Sequence, residues 1–161
     1  RVGIARAIIT EPQFVALDEP TSSLDMSIRI HIIGLLKRLQ EELGMTYLFI
    51  SHDLSAVRNL CDRVLVMYLG RIIEGGPVDK IFESPLHHYT QALLSAIPIP
   101  EPGKRKGRIL LRGEPPSLFN LPQGCAFHER CPDAEPLCRQ ELPLLRKVSE
   151  DCWVACHKAG K

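Results

Sequence analysis

The stretch "FVALDEPTSSLD", residues 14–25, decides the fold of this chain. Its first four residues form a short continuous apolar run, the pattern of a strand that is covered on both faces. Two adjacent carboxylates, Asp18 and Glu19, follow at once, and Asp25 stands where it can cap the next helix. The stretch therefore predicts a buried strand that ends in acidic residues and is followed by a turn and a helix.

Helical patterns flank this strand on both sides. Residues 1–10 lack an N-cap and an initiator Met, and Pro12 ends their helical pattern, so we interpret the chain as a fragment of a longer protein. The helix after Asp25 runs to Gly44, a natural stop. We assign its apolar residues, which are spaced by three and four, to core packing: Ile28, Ile32, Leu35, Leu36, Leu39 and Leu43.

Two further strands are predicted at residues 46–50 and 63–68, with a short helix at 53–61, opened by Asp53, between them. Short connections in a βαβαβ order imply parallel strands with right-handed crossovers, so the predicted class is α/β with a parallel sheet. Gly70 then turns the chain into residues 71–76, a short strand that we expect to pair with its predecessor as a hairpin.

The composition changes beyond residue 97 and indicates a domain boundary. Residues 98–108, "PIPEPGKRKGR", are rich in proline, glycine and bases, without the interleaved aromatics of a nucleic-acid site, and predict a solvated linker. We therefore predict an α/β domain over residues 1–80, a helical segment and linker over 81–107, and a small Cys-rich, loop-rich module over 108–161.

The bulk composition narrows the classes of function. The 161 residues are 45% hydrophobic and 24% charged, as in soluble globular proteins, and the net charge of +1 provides no field to recruit nucleic acid or anionic lipid. No apolar run is long enough to cross a bilayer. We therefore expect a soluble, cytosolic protein whose thiols are reduced.

Polar residues follow two of the predicted strands where each strand ends. Asp18 and Glu19 follow the first, and Ser51 and His52 follow the second. Carboxyl ends of parallel strands share one sheet edge, where ligands bind in α/β folds. One carboxylate can hold hydrated Mg²⁺, the other can polarise a water for attack on phosphorus, and the histidine can hydrogen-bond a terminal phosphate. For either pair alone, a solvated turn and a helix-entry histidine are the simpler interpretation.

The combination of "FVALDEPTSSLD" with "LFISHDLS" resembles the second, RecA-like half of an ABC-transporter ATPase. "RVGIARAII" is similar to the helix that follows the signature motif in that family. The resemblance implies MgATP as the ligand and six site residues: Asp18 as the Walker B aspartate, Glu19 as the catalytic glutamate, Ser22, Ser23 and Asp25 in the D-loop at a dimer interface, and His52 as the switch histidine.

One part of that family's site has no counterpart in this sequence. No G-x-x-x-x-G-K-[ST] phosphate loop, the Walker A motif, occurs in the 161 residues. That loop supplies the backbone cradle and the lysine that bind the β- and γ-phosphates. We therefore expect that this chain alone neither binds ATP tightly nor hydrolyses it.

The stretch "GCAFHERCPDAEPLC", residues 124–138, raises a separate question about its thiols. Reducing conditions disfavour disulfides, and the spacings are wider than the C-x2-C pairs of many zinc sites. An iron–sulfur cluster, zinc and a metal-free loop of reduced thiols stay open on these grounds. The cysteines are Cys125, Cys131, Cys138, Cys152 and Cys156, whereas Cys61 stands apart and is interpreted as a buried small hydrophobe.

The C-terminal segments "SPLHHYTQALLSAIP", "GEPPSLFNLPQGCAFHERCPDAEPLC" and "WVACH" resemble the extension of ATPases that serve oligopeptide, dipeptide and nickel importers. That extension is associated with a [4Fe–4S] cluster, with zinc as the alternative metal. His88 departs from the proline usual in the family, and Cys152 from a common histidine. The implied ligands are Cys125, Cys131, Cys138 and Cys156, with Cys152 as the alternative fourth.

The resemblance implies an ATP-hydrolysing subunit that energises uptake of oligopeptides or dipeptides. Its expected partners are a second ABC ATPase, as a homo- or heterodimer, transmembrane permeases and, indirectly, an extracytoplasmic solute-binding protein, with no nucleic acid. The expected location is the cytoplasmic face of a bacterial or archaeal cell membrane. The alternative function is a small metal- or iron–sulfur-binding redox or structural module in which the α/β part is only a scaffold.

Overall fold

The computed structural model describes residues 2–97 and 107–159. The chain divides into two compact units, residues 1–62 and 63–161. This division differs from the predicted boundaries after residues 80 and 107. Residues 98–106, which make up most of the predicted linker, lie outside the described residues.

The first unit alternates helices with two strands. Strands β1 and β2 pair in parallel, with Phe14 opposite Thr46 and Asp18 opposite Ile50. The chain order of the predicted elements is therefore confirmed up to this point. The elements are α1 (Val2–Ile8), β1 (Phe14–Asp18), α2 (Met26–Leu43), β2 (Thr46–Ile50) and α3 (Leu54–Leu60).

The core of the first unit lies on one face of this parallel pair. Val15 and Leu17 alternate inward along β1, and they pack with buried residues of α2 such as Leu36. The apolar stripe of α2 is confirmed in its middle, but Leu43 is 45% exposed, so assigning it to the core was wrong. The opposite face of the sheet is open, with Phe14, Leu48 and Ile50 exposed.

The capping and terminating residues of the helices in the first unit act as predicted, with one exception. Gly44 ends α2 in the left-handed region at φ 63°, which glycine adopts without strain. Asp53 caps α3, accepting the amides of Ser55 and Ala56 at 3.0 and 3.2 Å. Asp25 occupies the N-cap of α2, but its exposed side chain accepts no capping hydrogen bond from the described amides. The predicted capping role of that carboxylate was therefore wrong.

Residues 63–97 and 107–159 form a second unit around an antiparallel sheet of order β3-β4-β6-β5. The predicted hairpin of β3 and β4 is confirmed. Its elements are β3 (Arg63–Tyr68), β4 (Arg71–Pro77), α4 (Val78–Glu83), α5 (His88–Ser95), a 3₁₀ turn (His128–Arg130), α6 (Pro136–Gln140), β5 (Arg146–Lys147) and β6 (Trp153–Val154).

The expectation that the third strand joins the parallel sheet was wrong. Strand β3 hydrogen-bonds to β4 and not to β2. The two-residue turn between β3 and β4 has φ 46° at Leu69 and 76° at Gly70, the positive pair that a tight hairpin turn requires. This local reversal places the strand in an antiparallel ladder.

The C-terminal residues complete the same sheet. Strand β6 pairs with β4, with Glu74 opposite Val154, and the amide of Ala155 donates to the carbonyl of Ile73 at 2.8 Å. The Cys-rich segment is thus built onto the hairpin. No helix within the described ranges has the length and apolarity needed to span a membrane.

Aromatic rings form the centre of the second core. Tyr68 lies 4.6 Å from Tyr89 and 5.4 Å from Phe127, measured between ring centroids. Both spacings are in the range of favourable ring pairs, and the second is edge-to-face. This cluster connects β3, α5 and the loop that carries the first cysteines.

A carboxyl group is also buried in this unit. Glu74, on the central strand β4, is 1% exposed and accepts the amides of Leu86 and His87 at 2.5 and 3.1 Å, just before α5. Burial raises the pKa of Glu74 from 4.5, although these two amides and the Thr90 hydroxyl oppose the rise. Glu74 thus fixes the start of α5 at the cost of a buried titratable group.

We predict that the free energy of unfolding of Glu74→Gln rises relative to that of wild type as pH increases. A carboxyl whose pKa is raised in the folded state stabilises that state below its unfolded pKa, and this contribution is lost as pH rises through the folded pKa. Glutamine carries no charge and keeps one acceptor oxygen, but its NH2 group faces the second main-chain amide, donor against donor, which adds a cost that does not depend on pH. Denaturant unfolding of both proteins from pH 4 to pH 8 measures the difference, which is expected to grow with pH.

Glu83→Gln, at an exposed position in α4, is the matched control and is expected to change stability by less than about 0.5 kcal/mol at every pH. A difference between wild type and Glu74→Gln that is independent of pH would contradict this account of Glu74.

Candidate functional site

The parallel register brings the two polar strand ends together. Asp18 ends β1 opposite Ile50, the last residue of β2, and the amide of Glu19 donates to the carbonyl of Ile50 at 2.9 Å. Ser51 and His52 follow directly. The acidic pair and the histidine therefore meet at one edge of the sheet.

Glu19 and His52 are in direct contact. Glu19 Oε1 accepts the His52 amide at 3.2 Å and lies 2.8 Å from His52 Nδ1. A carboxylate oxygen only accepts, so Nδ1 carries the proton in this arrangement. The other ring nitrogen, Nε2, is then left for a second partner, and the side chain of His52 is 77% exposed.

The backbone of Glu19 is strained. Its φ of 45° lies in the left-handed region, which a residue with a Cβ rarely adopts. Its Oε2 is buried and has no hydrogen-bond partner among the described residues, while Oε1 has two. Such strain and such orphaned polar atoms concentrate at functional sites, so this residue is the centre of the candidate site.

The segment between β1 and α2 folds back on Glu19. The carbonyl of Glu19 accepts the amide and the hydroxyl of Ser22 at 3.3 and 3.1 Å. The side chains of Asp18, Ser23 and Asp25 are exposed. Asp18 has its carboxylate available for a cation, while Ser22 is committed to shaping the turn.

Arg29 is a site-forming residue that sequence reasoning missed. Its Nη1 donates to Asp53 Oδ2 at 2.8 Å and its Nη2 to the carbonyl of Leu24 at 3.2 Å. Burial would raise the pKa of Asp53, but the Ala56 amide and the Arg29 guanidinium outweigh burial and lower it. A signal existed, because a cation near a helix N-terminus opposes the helix dipole and indicates a specific partner.

A second candidate site is a small cavity of about 20 Å³ in the second unit. Several histidines line this cavity. Cys152 lies elsewhere, and its Sγ is 2.9 Å from where a Cβ on Gly76 would stand. The cavity thus gathers the four cysteines implied as ligands: Cys125, Cys131, Cys138 and Cys156.

Gly124 allows two of these cysteines to approach each other. Its φ is 73°, and a Cβ there would lie 2.5 Å from the carbonyl oxygen of Cys138. The next amide, that of Cys125, donates to the same carbonyl at 2.8 Å. The 3₁₀ turn that begins at His128 then returns the chain to Cys131. A glycine at residue 124 is therefore required by close backbone contact as well as by its φ.

The pKa values of two cavity thiols, Cys125 and Cys131, are raised. Burial raises the pKa of Cys125 and of Cys131, and the neighbouring thiols Cys138 and Cys156 raise both further. Sulfur is the donor that zinc and iron–sulfur clusters take, so the residue types around the cavity suit a metal, although their present spacing does not. In the described ranges, no three His, Cys, Asp or Glu side chains converge closely enough to hold a metal ion.

Histidines from α5 border the same cavity. His87 is buried, its Nδ1 accepts the amide of Tyr89 at 3.1 Å, and burial, assisted by His88, lowers its pKa from 6.5 to about 4. His88 Nε2 lies 3.0 Å from Asp133 Oδ2, which ties α5 to the loop after Cys131. The residue that replaces the family's usual proline thus contacts the cysteine-bearing loop.

We predict that His87 makes the chain less stable in acid. A histidine whose pKa is lowered from 6.5 to about 4 in the folded state costs stability as pH falls through that window, by about 3 kcal/mol at pH 4. His87→Asn keeps a capping oxygen for α5 and does not titrate. Chemical unfolding of both proteins between pH 7 and pH 4 tests this.

The difference in unfolding free energy between wild type and His87→Asn is expected to move in favour of the variant as pH falls. Volume lost in the substitution adds an offset that does not depend on pH. His31→Asn, an exposed position on α2, controls for histidine removal. Parallel pH profiles for wild type and His87→Asn would refute the assignment.

Comparison with known proteins finds a matching family model for part of this chain. Residues 73–138 match the family described as "Oligopeptide/dipeptide transporter, C-terminal region". The match begins in β4 and ends at Cys138, so it includes α5 and the first three cavity cysteines.

Three similar proteins cover nearly the whole chain. The oligopeptide transport ATP-binding protein AppF of Bacillus subtilis is 48% identical over 98% of this chain and 48% of its own length. The di/tripeptide transport ATP-binding protein DppF of Pseudomonas aeruginosa is 49% identical over 99% of this chain and 49% of its own length. A putative peptide import ATP-binding protein of Brucella ovis is 51% identical over 97% of this chain and 49% of its own length.

These similarities define the class as ABC-transporter ATP-binding proteins. Within that class, the chain is similar to proteins of oligopeptide and di/tripeptide transport. It spans about half the length of the relatives it matches.

Proposed function

We propose that this chain is the catalytic-carboxylate and switch-histidine part of an ATP-hydrolysing subunit that energises peptide import. The observation that carries the proposal is the contact between Glu19 and His52 at the ends of two parallel strands. The strained backbone of Glu19 and its orphaned Oε2 support it. Similarity to proteins named for oligopeptide and di/tripeptide transport supports the peptide cargo.

Each residue of the edge has a distinct chemical role in this proposal. Asp18 would hold Mg²⁺, which neutralises charge on the phosphates when it is bound. Glu19 accepts a proton from the attacking water as that water bonds to the γ-phosphorus and the bond to the ADP oxygen breaks. His52 would donate an Nε2 proton to a γ-phosphate oxygen while its Nδ1–H stays with Glu19, an arrangement that requires the imidazolium form of the ring. Ser22, Ser23 and Asp25 form the D-loop that faces a second ATPase.

The remaining parts of such an enzyme lie outside this chain. Because the sequence has no phosphate loop, ATP binding requires a longer polypeptide that supplies one. The partners that we infer are a second ATPase subunit, transmembrane permeases and an extracytoplasmic solute-binding protein. In that assembly the subunit lies peripherally at the cytoplasmic face of the membrane.

We predict that the 161-residue chain shows no ATP turnover, and that a longer polypeptide carrying a phosphate loop before it does. In that longer protein, Glu19→Gln should lower kcat by about 10²- to 10⁴-fold, the usual contribution of a general base, and leave KM for ATP nearly unchanged. Release of inorganic phosphate over a range of ATP concentrations measures both constants.

Glu42→Gln, at an exposed position in α2, is the control and should leave kcat unchanged. Turnover by the 161-residue chain that Glu19→Gln abolishes would contradict the need for a phosphate loop. A longer protein that carries a phosphate loop but lacks ATPase activity would favour the scaffold-and-metal-module alternative.

We further infer that Cys125, Cys131, Cys138 and Cys156 are the ligands of a [4Fe–4S] cluster. Support comes from their position around one cavity and from the raised pKa of Cys125 and Cys131, which a bound cation would relieve. Such a cluster would crosslink the loop-rich segment and carry one electron. Zinc is the alternative occupant of the same thiols.

We predict that Cys156→Ser lowers the iron and sulfide content of anaerobically purified protein several-fold, while Cys152→Ser leaves both unchanged. The two cysteines differ in placement, because Cys156 lines the cavity and Cys152 packs beside Gly76. Metal and sulfide analysis, together with the visible absorbance spectrum, provides the measurement. Colourless protein that carries zinc would identify zinc as the metal, and loss of iron in Cys152→Ser would reverse the choice of fourth ligand.

A further inference from the structure

We propose that Arg29 is a positioning residue that couples the D-loop, Ser22 to Asp25, to the switch histidine His52. The inference rests on the proposed ATPase function for its purpose, and on the first unit alone for its geometry. The Arg29 side chain reaches the D-loop with one nitrogen and the residue after the switch histidine with another.

The contacts of Arg29 form a fork. Nη1 donates to Asp53 Oδ2 at 2.8 Å, and Nη2 donates to the carbonyl of Leu24 at 3.2 Å. Both side chains of the ion pair are largely shielded, with 28% exposure for Arg29 and 18% for Asp53. A guanidinium is planar and rigid, so one acceptor cannot shift without affecting the bond to the other.

The switch segment is held from two sides. On one side, Glu19 Oε1 accepts the amide of His52 and contacts its ring nitrogen. On the other side, Arg29 holds Asp53, whose Oδ1 also accepts the amides of Ser55 and Ala56. A shift of Asp53 therefore acts on α3 and on the His52 amide together.

The Arg29 side chain is held almost wholly by these two acceptors. Its Nε is buried and has no hydrogen-bond partner among the described residues. A guanidinium with one buried orphan donor gains its placement from the remaining bonds, so loss of the Leu24 contact would also loosen its hold on Asp53. This dependence makes the arginine a connection between the two loops and not only an anchor for one of them.

The fork allows a movement of the D-loop to change the contact between His52 and Glu19. The D-loop is the part of the first unit that the family resemblance places against a second ATPase. When that partner shifts the carbonyl of Leu24, the fork transmits the shift to Asp53 and changes the contact between His52 and Glu19. In the proposed enzyme, Arg29 thus makes the alignment of His52 depend on the partner subunit.

The test measures coupling by amide hydrogen exchange in the 161-residue chain, followed by NMR. Asp25→Asn removes a negative charge from the D-loop residue that follows Leu24, four positions before Arg29, and the reporter is the amide of His52, which donates to Glu19. With Arg29 present, we expect Asp25→Asn to change the exchange rate of that amide several-fold. With Arg29→Gln, the same perturbation is expected to change it less than about twofold.

Two further variants separate coupling from simple stabilisation. Arg29→Lys keeps an ion pair with Asp53 but cannot form the fork, so it should protect the amides of Ser55 and Ala56 while abolishing the effect of Asp25→Asn. Arg38→Gln, at an exposed position on the same helix, should leave the coupling intact.

The outcomes are distinct. If Asp25→Asn changes the His52 amide equally with and without Arg29, or if Arg29→Gln accelerates exchange uniformly through the core, Arg29 is only structural and the proposal is overturned. If the coupling is found but the longer protein never hydrolyses ATP, the proposed function fails while the coupling stands. Loss of coupling in Arg29→Lys, together with slower ATP turnover by the same variant of a longer protein whose wild type is active, would support both.

Discussion

The candidate catalytic edge depends on the parallel pairing of β1 with β2 in one register. Asp18 opposite Ile50 places Glu19 beside the end of β2, where it can accept from His52. A slip of one residue would reverse every side chain of a strand, exposing Val15 and Leu17 and separating the acidic pair from the histidine. The burial of those two residues against α2 thus fixes both the core and the site. The register of β1 against β2 therefore determines both the packing of the core and the geometry of the candidate site in this unit.

Sequence reasoning succeeded where the signal is local or periodic. The presence of strand β1, the stop at Gly44 and the cap at Asp53 are each determined by a few neighbouring residues, and all were predicted. The prediction that β1 is covered on both faces was wrong, because its residues alternate between a buried and an exposed face. Sequence reasoning failed where a segment has more than one possible hydrogen-bonding partner. The residues of β3 can join a parallel or an antiparallel ladder, and the turn at Leu69 and Gly70, together with β6 from far along the chain, determines the outcome.

The same distinction applies to the candidate sites. Glu19 and His52 follow two strands and could be placed at one edge by a general rule for parallel sheets. Arg29 could be noticed as a cation near a helix N-terminus, but its acceptors, a main-chain carbonyl and a carboxylate 24 residues away, could not be identified from the sequence. The cysteines were grouped from their resemblance to a family, and the cavity they line depends on Gly124 and on a buried Glu74 that no motif indicated. The identity of any metal among them stays a prediction.

The two-stranded sheet of the first unit has a further consequence for how this segment serves longer relatives. A sheet grows sideways, through the hydrogen-bonding edges of its outer strands, whereas Glu19 and His52 lie at the strand ends. Adding strands on either flank therefore leaves the geometry of that pair untouched, and the open face bearing Phe14, Leu48 and Ile50 can be covered independently. The contact between Glu19 and His52 therefore depends on β1 and β2 alone and does not require the strands that extend the sheet in longer proteins.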